Sequence, residues 1–175
     1  MQQSTKKLFL LDAMALIYRA YFAFSKNPRI SSKGMNTSAI FGFVNTLLEI
    51  LAKERPSHIA VAFDTKAPTV RHEVFAEYKA HRQEVPEDII AAIPYIIKIL
   101  NGFRIPVLMQ DGYEADDIIG TMSKDAEKAG FKVYMVTPDK DFGQLVTENI
   151  FMYKPARLGN EIEILGVKEI CEKFS

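Results

Sequence analysis

Ile105-Pro106-Val107-Leu108-Met109, followed by Gly112-Tyr113-Glu114-Ala115-Asp116-Asp117-Ile118-Ile119, is the stretch whose reading decides the fold. A short apolar run gives way, through a glycine, to an acidic segment that opens an amphipathic helix pattern. Glu114 and Asp117 stand at i and i+3 and share one helix face, with Asp116 turned about 100° from its neighbour. Acids in a first helical turn complement the positive end of the helix dipole, so each has an ordinary structural explanation by itself.

The same strand-then-acid unit recurs along the chain. Leu8-Phe9-Leu10-Leu11 is apolar at every position, as a strand covered on both faces must be, and it ends at Asp12. Ile59-Ala60-Val61-Ala62-Phe63 ends at Asp64, and residues 133–136 lead into Thr137-Pro138-Asp139-Lys140-Asp141. Between these runs the spacing predicts helices over 13–24, from a Thr37 or Ser38 cap to Pro56, over 87–101 with a kink at Pro94 and a stop at Gly102, and from the acidic stretch to a stop at Gly130. Residues 25–36 read as a loop. Further on, the pattern predicts a short helix at 142–146, strands at 150–153 and 161–165 around a Gly159-Asn160 turn, and a helix at 166–174. Continuous apolar strands alternating with helices mean an α/β fold of one domain, with a mostly parallel central sheet.

Composition sets bounds. The 175 residues carry zero formal net charge, 48% hydrophobic and 25% charged side chains, so the overall balance announces neither nucleic acid nor membrane. One cysteine, Cys171, excludes an internal disulfide and reads as a partly buried residue of the last helix. The polar start and the short apolar run after it are too brief for a signal peptide or a membrane span, which predicts a cytoplasmic location.

In open parallel sheets, ligands bind beyond the carboxyl ends of the strands. Asp12, Asp64, Glu114, Asp116, Asp117, Asp139 and Asp141 would all collect at that edge. Like charges about 4 Å apart repel by kilocalories, so such a set calls for protonation or a multivalent cation. Oxygen donors without a neighbouring His or Cys favour Mg²⁺ or Mn²⁺ over Zn²⁺, and His58, His72 and His81 lack ligand spacing. Seven acids exceed the needs of one ion. Two ions suit in-line displacement at phosphorus, one to activate water and one to stabilise the leaving oxygen. An acidic pocket needs bases at its rim to draw phosphates in. The 25–36 loop offers Lys26, Arg29 and Lys33. The long connection at 65–86 offers Lys66, Arg71, Lys79 and Arg82 among Phe75 and Tyr78, a mixture suited to single-stranded nucleic acid. Arg19 lies about two helical turns beyond Asp12.

Several of these residues fall in a known pattern. Leu11-Asp12 with Tyr18-Arg19, Val61-Ala62-Phe63-Asp64, Arg71-His72-Glu73 with Glu77-Tyr78-Lys79-Ala80-His81-Arg82, Gly112 to Asp117, and Thr137 to Asp141 resemble the 5′ nuclease domain of bacterial DNA polymerase I. That family sits with flap endonucleases in the PIN-like fold. The resemblance implies a three-layer, Rossmann-like α/β architecture with helices on both faces. It also implies a two-metal 5′-3′ exonuclease or flap endonuclease acting on DNA with a 5′ flap, nick or RNA primer. It assigns metal binding to Asp12, Asp64, Glu114, Asp116, Asp117, Asp139 and Asp141. Phosphate steering and catalysis fall to Arg19 and Lys79, with Arg82 beside them, and the 65–86 insertion becomes a helical arch. Ala13 stands where the family usually has glycine. The family's downstream helix–hairpin–helix module, with its further acids, does not occur before Ser175. The expectation is therefore the front part of a monomeric bacterial, nucleoid-associated nuclease, continued by polymerase domains and weakly active alone.

Three rival readings share parts of this pattern. A PIN-type ribonuclease has a smaller acidic cluster and lacks the basic insertion. A phospho-acceptor signalling domain also places acids at strand ends but has no use for seven. A non-catalytic DNA-binding fragment would use the bases alone.

Overall fold

The computed structural model describes residues 6–65, 84–156 and 161–174. The central strand β1 (Lys7–Asp12) pairs in parallel with β2 (His58–Ala62) on one side and β4 (Lys132–Val136) on the other. Outside β2 lies β3 (Val107–Leu108), and outside β4 lies β5 (Ile150–Lys154), both again parallel. The last strand, β6 (Glu163–Leu165), joins β5 antiparallel, giving the order β3-β2-β1-β4-β5-β6.

β1 shows why its run had to be continuously apolar. Phe9 and Leu11 point into one core, Leu8 and Leu10 into another, by the two-residue period of a strand. The first core lies under α1 (Ala13–Ala23), α2 (Ser38–Lys53) and α3 (Glu87–Gly102), with Ile17, Phe43, Leu47, Ile89 and Ile96 almost fully buried. The second lies under α4 (Ala115–Lys128) and a 3-10 helix (Lys140–Leu145), with Ile119, Met135, Phe142 and Met152 buried and Ile170 of α5 (Val167–Phe174) packed against it. Helices on both faces of a mostly parallel sheet are the three-layer α/β architecture the sequence predicts.

Several local expectations are corrected. The third strand has only Val107 and Leu108 in the ladder, not five residues. Pro106 has no N–H to give, although its carbonyl still accepts from Val61 N at 3.0 Å. α3 does end at Gly102, but not by a left-handed glycine. Gly102 is its last residue, and the chain reverses two residues on at Arg104 (φ 57°), closed by Ile105 N–H on Leu100 O at 2.9 Å. Pro94 sits inside α3 without dividing it; the carbonyl it leaves without a donor belongs to Ile90, a residue on the exposed side. Thr37 takes the N-cap position of α2 but spends its hydroxyl on Arg29 O at 2.8 Å. The 25–36 loop holds an Ile30–Asn36 bridge and is tied to α3 by Asn36 Nδ2 on Asp88 Oδ2 at 3.0 Å. Cys171 is exposed, not partly buried. Gly130 does close α4 with positive φ (81°), and Phe131 N–H reaches back to Ala126 O. Most of the 65–86 insertion and the Gly159-Asn160 turn lie outside the described residues. Among the described residues, no helix is long and apolar enough to cross a membrane.

Candidate metal centre

The strand order reverses between β1 and β4, because the chain leaves β1 toward β2 and returns on the other side with β4. A crevice opens at such a point beyond the strand ends. Asp12 closes β1 there and caps α1, its Oδ1 accepting from Ala15 N–H at 3.2 Å. Thr137 follows β4. Its hydroxyl donates to Asp12 Oδ2 at 3.1 Å and accepts from Asp139 N–H at 3.1 Å.

The remaining acids stand at or beside the starts of helices. Asp64, two residues past β2, accepts from Ala115 N–H at 2.8 Å. Glu114 is buried at the N-cap of α4, and Asp117 accepts from its N–H at 3.1 Å. Asp116 Oδ1 accepts from Asp117 N–H at 3.0 Å. Asp139 caps the 3-10 helix by accepting from Asp141 N–H at 3.0 Å. The positive turn at Gly112 (φ 86°) brings the chain from β3 into this arrangement, a conformation a side chain would strain. The capping and cation readings of these acids therefore describe the same geometry: backbone N–H groups at helix starts hold every carboxylate of the set except that of Asp141 and offset part of its charge.

Two adjoining cavities, each of about 380 Å³, divide the seven acids. Asp12, Asp64, Glu114, Asp116 and Asp139 line the first, with Met14, Tyr18 and Phe142 as its less polar walls. Asp116, Asp117, Asp139 and Asp141 line the second, with Thr121, Lys124 and Gln144. Asp116, Asp139 and Phe142 belong to both.

Among the described residues, no three His, Cys, Asp or Glu side chains converge closely enough to ligate one ion directly. The acids instead face open space, which suits a cation that keeps several waters and takes one or two carboxylates, as Mg²⁺ does. The donor set is oxygen throughout. Burial raises Asp12 from its ordinary 3.8 to about 6, and the charges of Asp64 and Asp116 push the same way, against the bonds from Ala15 and Thr137. A divalent ion in the cavity would invert that balance. The residues fit a hard divalent cation.

The expected bases that lie among the described residues stand outside both acid-lined cavities. Arg19 lines a neighbouring groove of about 310 Å³ with Pro138, Lys154 and Lys173. Its guanidinium donates to Pro155 O at 2.8 Å and to Ala156 O. Lys26, Arg29 and Lys33 are exposed on the α1–α2 connection, and the Arg29 guanidinium lies over the Phe24 and Phe41 rings at 5.5 and 5.3 Å. Lys66, Arg71, Lys79 and Arg82 lie outside the described residues. Sequence reasoning missed Thr137, Tyr18 and Lys124. Tyr18 and Thr137 stood in the quoted motifs without a role, and Lys124 carried a positional signal at i+7 from Asp117 on one helix face.

Comparison with known proteins follows the same lines. The family described as 5′-3′ exonuclease, N-terminal resolvase-like domain, matches residues 7–175. A 5′-3′ exonuclease of Aquifex aeolicus is 41% identical over 169 residues, covering 97% of this chain and 56% of the relative. DNA polymerase I of Geobacillus stearothermophilus is 40% identical over 169 residues, covering 96% of this chain and 19% of the polymerase. The chain thus spans about half the length of the first relative and a fifth of the second. Among solved structures, the bacteriophage T5 flap endonuclease in a pseudo-enzyme–product complex with DNA and metal ions superposes with a TM-score of 0.71 at 18% identity. That match covers 95% of this chain and 60% of the phage protein, and it establishes likeness of fold.

Proposed function

The chain belongs to the 5′-3′ exonuclease N-terminal, resolvase-like family, and from that premise we propose that it hydrolyses phosphodiester bonds near the 5′ ends of DNA, using divalent cations held at the strand edge. The observation that carries this reading is the pair of acid-lined cavities sharing Asp116 and Asp139 at the switch point. Asp12, Asp64 and Glu114 would serve one ion, Asp117 and Asp141 the other, and Asp116 and Asp139 both. Two Mg²⁺ or Mn²⁺ ions would supply a water of lowered pKa and charge stabilisation at the leaving oxygen.

The chain's own residues do the rest. Tyr18, Met14 and Phe142 form walls of low polarity, which strengthen every charge interaction inside the first cavity. The acids alone would repel a DNA backbone, so the substrate must be drawn in by bases around them. Arg19, Lys26, Arg29 and Lys33, with Arg71, Lys79 and Arg82 of the 65–86 insertion, would fill that role. We take the substrate to be a 5′ flap, nick or RNA primer. The protein would act in the bacterial cytoplasm as a monomer, joined to a helix–hairpin–helix module and polymerase domains.

The test is Mg²⁺-dependent cleavage of a 5′-flapped duplex by the full-length gene product carrying Asp64→Asn or Asp117→Asn. Cleavage should vanish in both while the melting temperature in EDTA stays near the parent's. Wild-type rates in either variant would remove that residue from the site, and RNA cut in preference to flapped DNA would overturn the substrate class.

A further inference from the structure

We propose that Thr137 is the positioning residue of this centre, its hydroxyl setting Asp12 and Asp139 in the relative placement that cation binding requires; the inference rests on the reading of the site given above. Thr137 is fully buried on the residue after β4, 125 positions from Asp12 in sequence. Its backbone N–H is anchored to Tyr153 O of β5 at 3.3 Å, so its side chain starts from a fixed point.

A hydroxyl has one proton to give and two lone pairs to receive with. The Asp139 N–H has only a donor to offer, so at 3.1 Å it must use a lone pair of Oγ1. The hydroxyl proton is then directed to Asp12 Oδ2, at 3.1 Å. One side chain thus reads both sides of the switch point: it receives from the backbone that carries Asp139 and gives to the carboxylate that ends β1.

The consequence is order before any cation arrives. Asp12 has Oδ1 held by Ala15 N–H and Oδ2 held by Thr137, which fixes its rotamer. Without the second bond, the charges of Asp64 and Asp116, which already press on Asp12, would favour turning the carboxylate away. Supports of this kind typically change metal affinity by about tenfold to a hundredfold when removed. A purely space-filling role is the alternative, and valine has nearly the same shape. Burying a hydroxyl costs free energy unless it is bonded, and here both bonds go to the acids' own elements.

The experiment compares Thr137→Val and Thr137→Ser with the parent protein by calorimetric titration of Mn²⁺ and by the rise in melting temperature that Mg²⁺ produces. Thr137→Val should weaken binding by about tenfold or more and shrink the Mg²⁺-induced rise, while Thr137→Ser stays within about threefold of the parent. Valine binding as tightly as threonine would overturn the inference. If valine prevents folding, serine decides: retained affinity supports the hydroxyl's role, and loss of affinity shows that the methyl group's packing matters instead. A parent protein that binds no divalent cation would overturn the reading of the site itself, and this inference with it.

Discussion

The Asp64 carboxylate accepts a hydrogen bond from the backbone N–H of Ala115 at 2.8 Å, which ties the end of β2 to the first turn of α4 across 51 positions of sequence. An acid from one motif therefore holds the helix that presents three others. The tie makes Asp64 part of the fold as well as of the candidate centre, and the two roles separate by substitution.

Asp64→Ala leaves the N–H of a buried residue without its acceptor, which should cost about 1–3 kcal/mol. Asp64→Asn keeps an oxygen in the same place and should cost less than about 1 kcal/mol. Urea unfolding midpoints in EDTA measure the difference. Equal midpoints for alanine and asparagine would show that the tie contributes nothing to stability.

Asp12 gives a pH dependence of defined sign. Its folded-state value is raised to about 6 from 3.8, so between these values the folded protein holds a proton that the unfolded chain has released. The favourable contribution is complete below 3.8 and is lost as pH rises through about 6. Above that, the ionised carboxylate costs the metal-free fold about 3 kcal/mol, at 1.4 kcal/mol for each pH unit of the interval. Asp12→Asn should therefore be more stable than the parent at pH 8 in EDTA, and the gap should close at pH 4. Saturating Mg²⁺ should reverse the order by stabilising the parent alone. A gap that does not change with pH would refute the assignment.

These ties also mark what sequence could and could not carry. The alternation of β1 between two cores is legible because a strand buried on both faces leaves no polar position, and Leu8 to Leu11 has none. Acids after strands were legible as one edge because parallel strands all end on the same side. The neighbours of β1 were not: nothing in residues 133–136 says that they pair with residues 8–11 rather than with β2. The Thr137–Asp12 bond depends on that pairing, so Thr137 stood in the quoted Thr137-to-Asp141 motif with no role of its own. Strand β3 was overextended for a related reason, since apolar character persists to Met109 while the ladder depends on edge geometry and on Pro106. Arg104 in the left-handed region runs against residue preference, which pointed to Gly102 instead.

Ser123 presents the opposite case, a polar group with no use visible in the fold. It is fully buried in α4, and its hydroxyl has no hydrogen-bond partner among the described residues. Burying an unpaired hydroxyl costs about 1–3 kcal/mol, and alanine is the better helix former by a few tenths. Ser123→Ala should raise stability by about 1 kcal/mol with no change in Mn²⁺ affinity. Thermal melts and calorimetric titration test both halves, and a destabilised alanine variant would show that the hydroxyl is bonded in solution.

Gly42 decides how closely α1 and α2 cross. A Cβ built there would stand 2.6 Å from Ala20 Cβ and 3.2 Å from Ala20 Cα, with the Phe24 ring at 3.4 Å. Two effects oppose each other in Gly42→Ala. Helix propensity favours alanine by about 1 kcal/mol, whereas overpacking a well-filled contact costs about 1–3 kcal/mol. The obstructing atoms are a backbone carbon and a methyl fixed to it, so no rotamer change relieves the clash and the helices must separate. Overpacking should win, with a net loss of about 1–2 kcal/mol. The displacement would not stay local, because α1 has Asp12 at its N-cap and Tyr18 in the wall of the acid cavity. Gly42→Ala should therefore weaken Mn²⁺ binding as well as lower the melting temperature, although residue 42 lies outside both acid-lined cavities. Gly42→Ala with unchanged affinity would mean that α1 yields at Ala20 while its first turn stays fixed to β1.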